Sequence, residues 1–133
     1  MVYVKHFLKE ERMTTGEVAR RTRFSESALR YYERRGLIEV RRAGNGRREW
    51  TGKDAAWIAF ICRLKDTGMK IKDIRRYAAL RAKGDSTLKV RLAVLEQHRK
   101  YVLEQQKLWN KNLASLEDKI RLYREKIAGT NQF

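Results

Sequence analysis

The stretch SESALRYYERRGLIEVRRAGNGRREW, residues 25–50, decides the fold. Its first half reads as a short helix: Ser25 is a preferred N-cap, Ala28, Leu29, Tyr32 and Glu33 follow at helical spacing, and Gly36 supplies a stop. The second half changes period. β-Prone residues flank Asn45-Gly46, a dipeptide suited to the positive φ angles of a hairpin turn, so a small ribbon is expected. Arg30, Arg34, Arg35, Arg41, Arg42, Arg47 and Arg48 concentrate seven positive charges in this one stretch. A helix and a ribbon so charged call for a polyanion.

Upstream, TTGEVARRT carries a capping box, Thr14 with Glu17, in which each side chain satisfies a free backbone donor at a helix start. Val18, Ala19 and Thr22 then face inward. Two short helices joined by a tight turn make a helix-turn-helix motif over about residues 16–35. The ribbon over about 38–50, bearing Arg41, Arg42, Arg47 and Arg48, is its wing. Downstream, TGKDAAWIAFICRLKDTGM opens on a second capping signal, Thr51 with Asp54, and ends at Gly68. IKDIRRYAALRAKG adds a helix with Ile71, Ile74, Ala78 and Leu80 inward, closing a second helical pair over 51–83.

From Leu88 the pattern no longer breaks. Positions 88, 92, 95, 99, 102, 106, 109, 113, 116, 120, 123 and 127 alternate steps of four and three, and ten of the twelve are apolar. Leu88, Leu92, Leu95, Val102, Trp109, Leu113, Leu116, Ile120, Tyr123 and Ile127 form the seam; Arg99 and Gln106 interrupt it, either fixing register or snorkelling at a loose stretch. A 3.5-residue repeat sustained this long argues for a coiled coil. At 1.5 Å per residue such a helix is about 65 Å long, more than one small domain covers, so it needs a second chain.

The fold class expected is therefore mainly α. Residues 1–12 form an N-terminal extension without assigned function, 13–84 a winged helix-turn-helix domain with a small β-hairpin wing, 85–128 a long dimerisation helix and 129–133 a tail. Composition agrees: 32 basic against 16 acidic residues give a net charge of +16 over 133 residues. Residues 1–84 hold 22 of the basic and 10 of the acidic side chains, so the polyanion surface belongs there.

Duplex DNA suits this architecture. The second helix is narrow enough for the major groove, where residues of its N-terminal half meet base edges while arginines and tyrosine hydroxyls take phosphates. Ser25, Ser27 and Arg30 are the groove candidates. Tyr31, Arg34, Arg41, Arg42, Arg47 and Arg48 are the backbone candidates, with Thr15 beside them at the start of the first helix. Of the adjacent tyrosines, Tyr32 is expected to be the more buried.

Other classes fit less well. No nucleophile, base and orienting group can be assembled, and no phosphate-cradling glycine loop appears, so an enzyme is not expected. No cofactor is implied, and one cysteine with two isolated histidines suggests no metal site. No apolar run approaches the roughly 20 residues of a membrane span, and the chain reads as cytoplasmic. An architectural DNA-binding protein that bends its target without an effector is the competing reading. An RNA-binding coiled coil lacks exposed stacking platforms.

TTGEVARRTRFSESALRYYERRGLI, then NGRREW, then DAAWIAFICRLKDTGMKIKDI, resembles the MerR family of bacterial transcription regulators from Met13 to about Ile127. Arg30-Tyr31-Tyr32-Glu33 followed by Gly36-Leu37-Ile38 stands where that family has its signature; Arg47 and Trp50 replace tyrosines often found in its wing. The resemblance implies a homodimer whose long helices pair as an antiparallel coiled coil and hold two winged domains on a two-fold promoter site. It further implies bending and untwisting of an overlong spacer, with RNA polymerase a partner only through the shared promoter.

The resemblance also bears on the signal. Metal-sensing members carry cysteines at the start of the dimer helix and after it; KGDSTLKVR and IAGTNQF have none, so a thiolate metal site is not expected. With six residues after Ile127, no separate effector domain is expected there. The region from Trp57 to Leu92 is most similar to a subgroup of short regulators linked to aldehyde or electrophile stress, some of which use one cysteine, placed at the position of Arg63 here. Cys62 stands either as a sensor, its thiol acidified by Lys65 and Arg63, or as a small buried hydrophobe.

Overall fold

The computed structural model describes residues 12–130, and the chain folds as β1 (Arg12–Met13), α1 (Thr15–Arg21), α2 (Glu26–Arg34), β2 (Arg41–Arg42), β3 (Arg48–Thr51), α3 (Gly52–Asp66), α4 (Ile71–Ala82), a 3-10 turn (Asp85–Thr87) and α5 (Leu88–Thr130). The expected extension through residue 11 and the last three residues of the expected tail lie outside the described residues. Two compact units divide them, one reaching Val94 and one from Leu95 onward.

The N-caps form as local chemistry dictates, but the capping box expected of Thr14 and Glu17 is only half made, because the Glu17 carboxylate accepts from Thr14 Oγ1 at 3.2 Å and not from the Thr14 amide. Glu17 N donates to Thr14 Oγ1 at 3.2 Å and Ala28 N to Ser25 Oγ at 3.1 Å, so α1 and α2 each open on a satisfied donor. At α3 the capping box is reciprocal: Thr51 N donates to Asp54 Oδ2 at 2.9 Å and Asp54 N to Thr51 Oγ1 at 3.2 Å. α3 ends where Gly68 takes φ 93°, a conformation that costs a residue with a Cβ.

The wing is a three-stranded antiparallel sheet in the order β1-β3-β2. Arg41 faces Glu49 and Arg42 faces Arg48 across the hairpin, while Arg12 faces Thr51 and Met13 faces Trp50 on the other edge. Arg12 thus belongs to the sheet and not to an appendage. The hairpin turn also differs from a two-residue Asn45-Gly46 turn. Gly46 N donates to Ala43 O at 2.9 Å, placing Gly44 and Asn45 at the centre, and only Gly46 has positive φ, at 82°. Arg47 N donates to Asn45 Oδ1 at 3.0 Å, so the asparagine closes the turn with its side chain instead of adopting a left-handed backbone.

The core of the first unit gathers Val18, Leu29, Trp50, Ile58, Ile61 and Ile74, all with no solvent exposure. Tyr32 joins them, stacked on Phe24 at 4.8 Å between ring centroids. α3 is buried nearly all round, from Ala55 to Leu64, and packs against β3 and α4. Of the residues expected inward on α4, Ile74 and Ala78 are buried and Ile71 and Leu80 half-buried; Tyr77 is buried as well, stacked on Trp57.

The dimerisation helix expected from residue 85 begins at Leu88, because Asp85–Thr87 turn as 3-10 after Gly84. Thr87 Oγ1 donates to Leu80 O at 2.7 Å, and Arg91 donates from Nε to Thr87 Oγ1 and from Nη2 to Gly84 O. These bonds add to those that Leu80 O and Gly84 O already accept from the Lys83 and Thr87 amides, and they pin the turn between α4 and α5. α5 has 43 residues and no fully buried one. Trp109 is 74% exposed, and Leu113, Leu116, Ile120, Tyr123 and Ile127 are exposed with it; Leu95 and Val102 are half-buried.

Candidate nucleic-acid interface

α2 exposes the residues that the sequence assigns to the groove. Ser25, Ser27, Arg30 and Arg34 are exposed on or just before α2, and Tyr31 is 36% exposed beside buried Tyr32. Adjacent residues lie about 100° apart on a helix, so one tyrosine packs and the other points outward. The Arg35 guanidinium stands 5.2 Å from the Tyr31 ring centroid and steadies that side chain from its own helix. Ser25 accepts the Ala28 amide, which occupies an acceptor position and leaves its O–H hydrogen to donate.

The wing is tied to this helix through one carboxylate. Arg48 Nε donates to Glu33 Oε1 at 2.6 Å, and Arg42 Nη2 approaches Glu33 Oε2 at 3.9 Å. Arg42 Nη1 also donates to Gly46 O at 3.1 Å, fixing its own side chain along the turn. Arg41 and Arg47 stay exposed. Arg12 of β1 pairs with Glu49 of the central strand β3. Glu33 had no role assigned from sequence beyond helix spacing, and only its meeting with a strand fifteen residues on reveals it.

Thr15 belongs to the same face. Buried Trp50 donates from Nε1 to Thr15 Oγ1 at 3.0 Å, so the wing's innermost residue orients the first residue of α1. Thr15, Arg42, Arg47 and Arg48 line a single cleft of about 790 Å³ between the start of α1 and the wing. The structure therefore brings Arg42, Arg47 and Arg48 together with Thr15, while Arg41 lines a different cleft; Ser25, Ser27, Arg30, Tyr31 and Arg34 are exposed on the neighbouring helix.

Cys62 sits apart from this face. It is buried, with Sγ 3.8 Å from Asp66 Oδ2, and Asp66 in turn pairs with Arg23 at 3.1 Å. Burial, followed by the negative charge of Asp66, pushes the thiol pKa upward; the opposing charges of Arg23 and Lys65 do not reverse it. The acidified thiol, one of the two readings of Cys62, is thus opposed, with Lys65 and Arg23 outweighed. The reason is position: Asp66 lies one helical turn on and accepts from the thiol itself.

A helix-turn-helix with a wing fastened to its second helix, followed by a long helix with an uncovered apolar seam, defines a winged-helix transcription regulator. Two family profiles match the chain: MerR HTH family regulatory protein over residues 13–80, and MerR, DNA binding over residues 55–119. An HTH-type transcriptional regulator of Haemophilus influenzae is 36% identical over 113 residues, 84% of each chain. The HTH-type regulator AdhR of Bacillus subtilis is 34% identical over 69% of this chain and 66% of its own. Among solved structures, that of HiNmlR, a MerR family regulator lacking the sensor domain, bound to promoter DNA, superposes with a TM-score of 0.79 at 36% identity, covering 86% of this chain and 87% of that one. A MerR family regulator from Bacillus thuringiensis superposes at 0.76 with 32% identity, over 83% and 97%. The chain belongs to the MerR family of transcription regulators. These relatives are regulators and not enzymes, and among the described residues no helix is long and apolar enough to cross a membrane.

Proposed function

We propose that two copies of this chain bind a palindromic promoter site in the cytoplasm and distort it. Ser25, Ser27 and Arg30 read base edges in the major groove. Tyr31, Arg34, Arg41, Arg42 and Arg47 hold phosphates, and Thr15 adds a hydroxyl at the cleft. Arg48 keeps its terminal N–H groups for a phosphate while Glu33 holds its Nε. RNA polymerase meets the protein through the shared promoter, and a small-molecule or electrophile signal changes how the DNA is held.

The observation that carries this reading is the Glu33 bridge between α2 and the wing. It makes one rigid reader of a groove helix and a phosphate ribbon, which positions backbone contacts in register with base contacts. The seam supplies the second half: Trp109, Leu113, Leu116, Ile120, Tyr123 and Ile127 are apolar, periodic and exposed in the single chain, and a second copy of α5 buries them. The dimer then offers two readers to two half-sites, and the protein's contacts offset the cost of deforming the spacer.

Selection of bound duplexes from a genomic pool, followed by cleavage footprinting, tests it. A recurring palindrome over an overlong promoter spacer, with enhanced cleavage at its centre, is expected. Even protection of unrelated duplexes would overturn it in favour of an architectural role.

A further inference from the structure

We propose that a second cleft in the first unit, facing Arg81, binds a small organic acid: an anion with an apolar body and a carboxylate. The cleft has a volume of about 860 Å³ and is built from the approach to β2, the start of α3, the end of α4 and the turn into α5. That volume falls in the usual range for small-molecule sites. Trp57, Val40, Ala78 and Ala82 give it an apolar wall; Arg41, Lys53, Arg81 and Arg91 line it with positive charge, and Glu39, Asp54 and Asp85 with negative charge.

Arg81 is the centre of the argument. Its guanidinium lies 4.3 Å from the Trp57 ring centroid, and Trp57 is backed by Tyr77, stacked at 5.9 Å. Trp57 is itself fixed, donating from Nε1 to Leu37 O at 2.9 Å. The aromatic pair therefore fixes one side of the guanidinium, which reduces the rotamer entropy a ligand would otherwise have to freeze.

Among the described residues Arg81 has no carboxylate within ion-pair distance and donates no hydrogen bond, although the Asp54 charge acts on it from further away. Asp54 Oδ2 already accepts the Thr51 amide in the α3 capping box. Half-burial penalises the charged guanidinium and moves its pKa downward, a cost that an incoming carboxylate relieves. Arg91 is different: its bonds to Thr87 and Gly84 hold the turn together at the cleft wall. A carboxylate on Arg81 would take a bidentate pair of N–H bonds, with Lys53 adding a point charge, while its apolar part lies on Val40, Ala78 and Ala82. Because the walls include both the strand leading into the wing and the turn leading into α5, an occupant touches the two elements that flank the DNA reader.

The site goes beyond the promoter reading and is tested without DNA, so failure of either leaves the other standing. The full chain is titrated with sodium benzoate at constant ionic strength, following the Trp57 indole N–H resonance, with sodium acetate as the control anion. Saturable binding of benzoate, at least about tenfold tighter than acetate, is expected, and Arg81→Gln weakens it by about tenfold or more. Lys53→Gln weakens it less, and Arg75→Gln, on α4 but outside the cleft, leaves it unchanged. Absence of saturable benzoate binding overturns the proposal, as does equal affinity for acetate. Unchanged affinity in folded Arg81→Gln overturns it too; if that variant fails to fold, unchanged affinity in Lys53→Gln does so.

Discussion

Glu33 of the recognition helix holds Arg48 of the wing at 2.6 Å, with both side chains about three-quarters buried. A pair so placed is weakly screened, and its charge-assisted hydrogen bond is stronger than a neutral one. Arg42 shares the same carboxylate from the opposite strand, so a single acidic residue collects two arginines that would otherwise repel each other across the hairpin. The consequence is functional: the residue that adds no positive charge to the surface decides where the positive charges stand.

Glu33→Gln therefore has opposed effects on two kinds of DNA. Losing a negative charge strengthens contact with any duplex, while releasing Arg48 and Arg42 loosens the wing and weakens the fit to the correct site. The ratio of specific to non-specific affinity is expected to fall by about tenfold, as a lost charged hydrogen bond of about 1.5 kcal/mol implies. Amide exchange in residues 41–49 should quicken at the same time. A preserved ratio with unchanged exchange would show that the bridge is idle.

Arg30 and Arg47 should fail differently. Arg30→Ala is expected to relax preference at one defined operator position by about 1–3 kcal/mol, as loss of the proposed base contact implies. Arg47→Ala, at the turn of the wing, should weaken all duplexes alike and reduce the steepness of the salt dependence by about one counterion. Binding measured on a panel of single-position operator variants across several salt concentrations separates the two. Uniform loss in Arg30→Ala would make it a phosphate contact.

Cys62 gives a prediction with a definite sign. Its folded pKa lies above the ordinary value near 9.0, owing first to burial and then to Asp66. The thiolate is the nucleophile, so alkylation by iodoacetamide near neutral pH should be much slower in the folded chain than in the denatured one. For stability, a group with a raised folded pKa contributes a term that is fully present below the unfolded value and is lost as pH rises through the folded value. The window is thus on the alkaline side, from about 9.0 upward, and Cys62→Ala should flatten stability there. Removing Asp66 as Asp66→Asn takes away both its charge and its ion pair with Arg23, and should speed alkylation. Rapid labelling of the folded wild-type chain would restore Cys62 as a sensor.

How much of this was legible in the sequence depends on the distance over which each feature is determined. The caps at Thr14, Ser25 and Thr51 were readable because each is a contact between residues three apart. The long helix was readable because its period repeats. Arg12 was not, since a two-residue strand has no pattern of its own and is defined by Thr51, far along the chain. Asn45-Gly46 marked the hairpin correctly but not the backbone of its turn, where the Asn45 side chain competes with the left-handed conformation. Around Cys62 the sequence leaves a sensor and a buried hydrophobe both open, and in the fold burial and Asp66 raise the thiol pKa. The Arg81 cleft draws on residues from 36 to 91, and no local window contains it.

The seam yields the clearest test of assembly. Leu113 and Leu116 are both more than half exposed in the single chain, at consecutive seam positions, so burying them against a second α5 is worth several kcal/mol by the apolar area rule. Leu113→Asp with Leu116→Asp places two carboxylates in that interface, where neither hydration nor a partner compensates them. The monomer fold should survive, because neither side chain is buried in it. Sedimentation velocity is expected to show a dimer for the parent chain and a monomer for the double variant at micromolar concentration, with the helical circular dichroism largely kept. Promoter affinity should fall steeply, since one chain engages only one half-site. A variant that remains dimeric would move the interface off the seam and leave its 3.5-residue repeat without a partner.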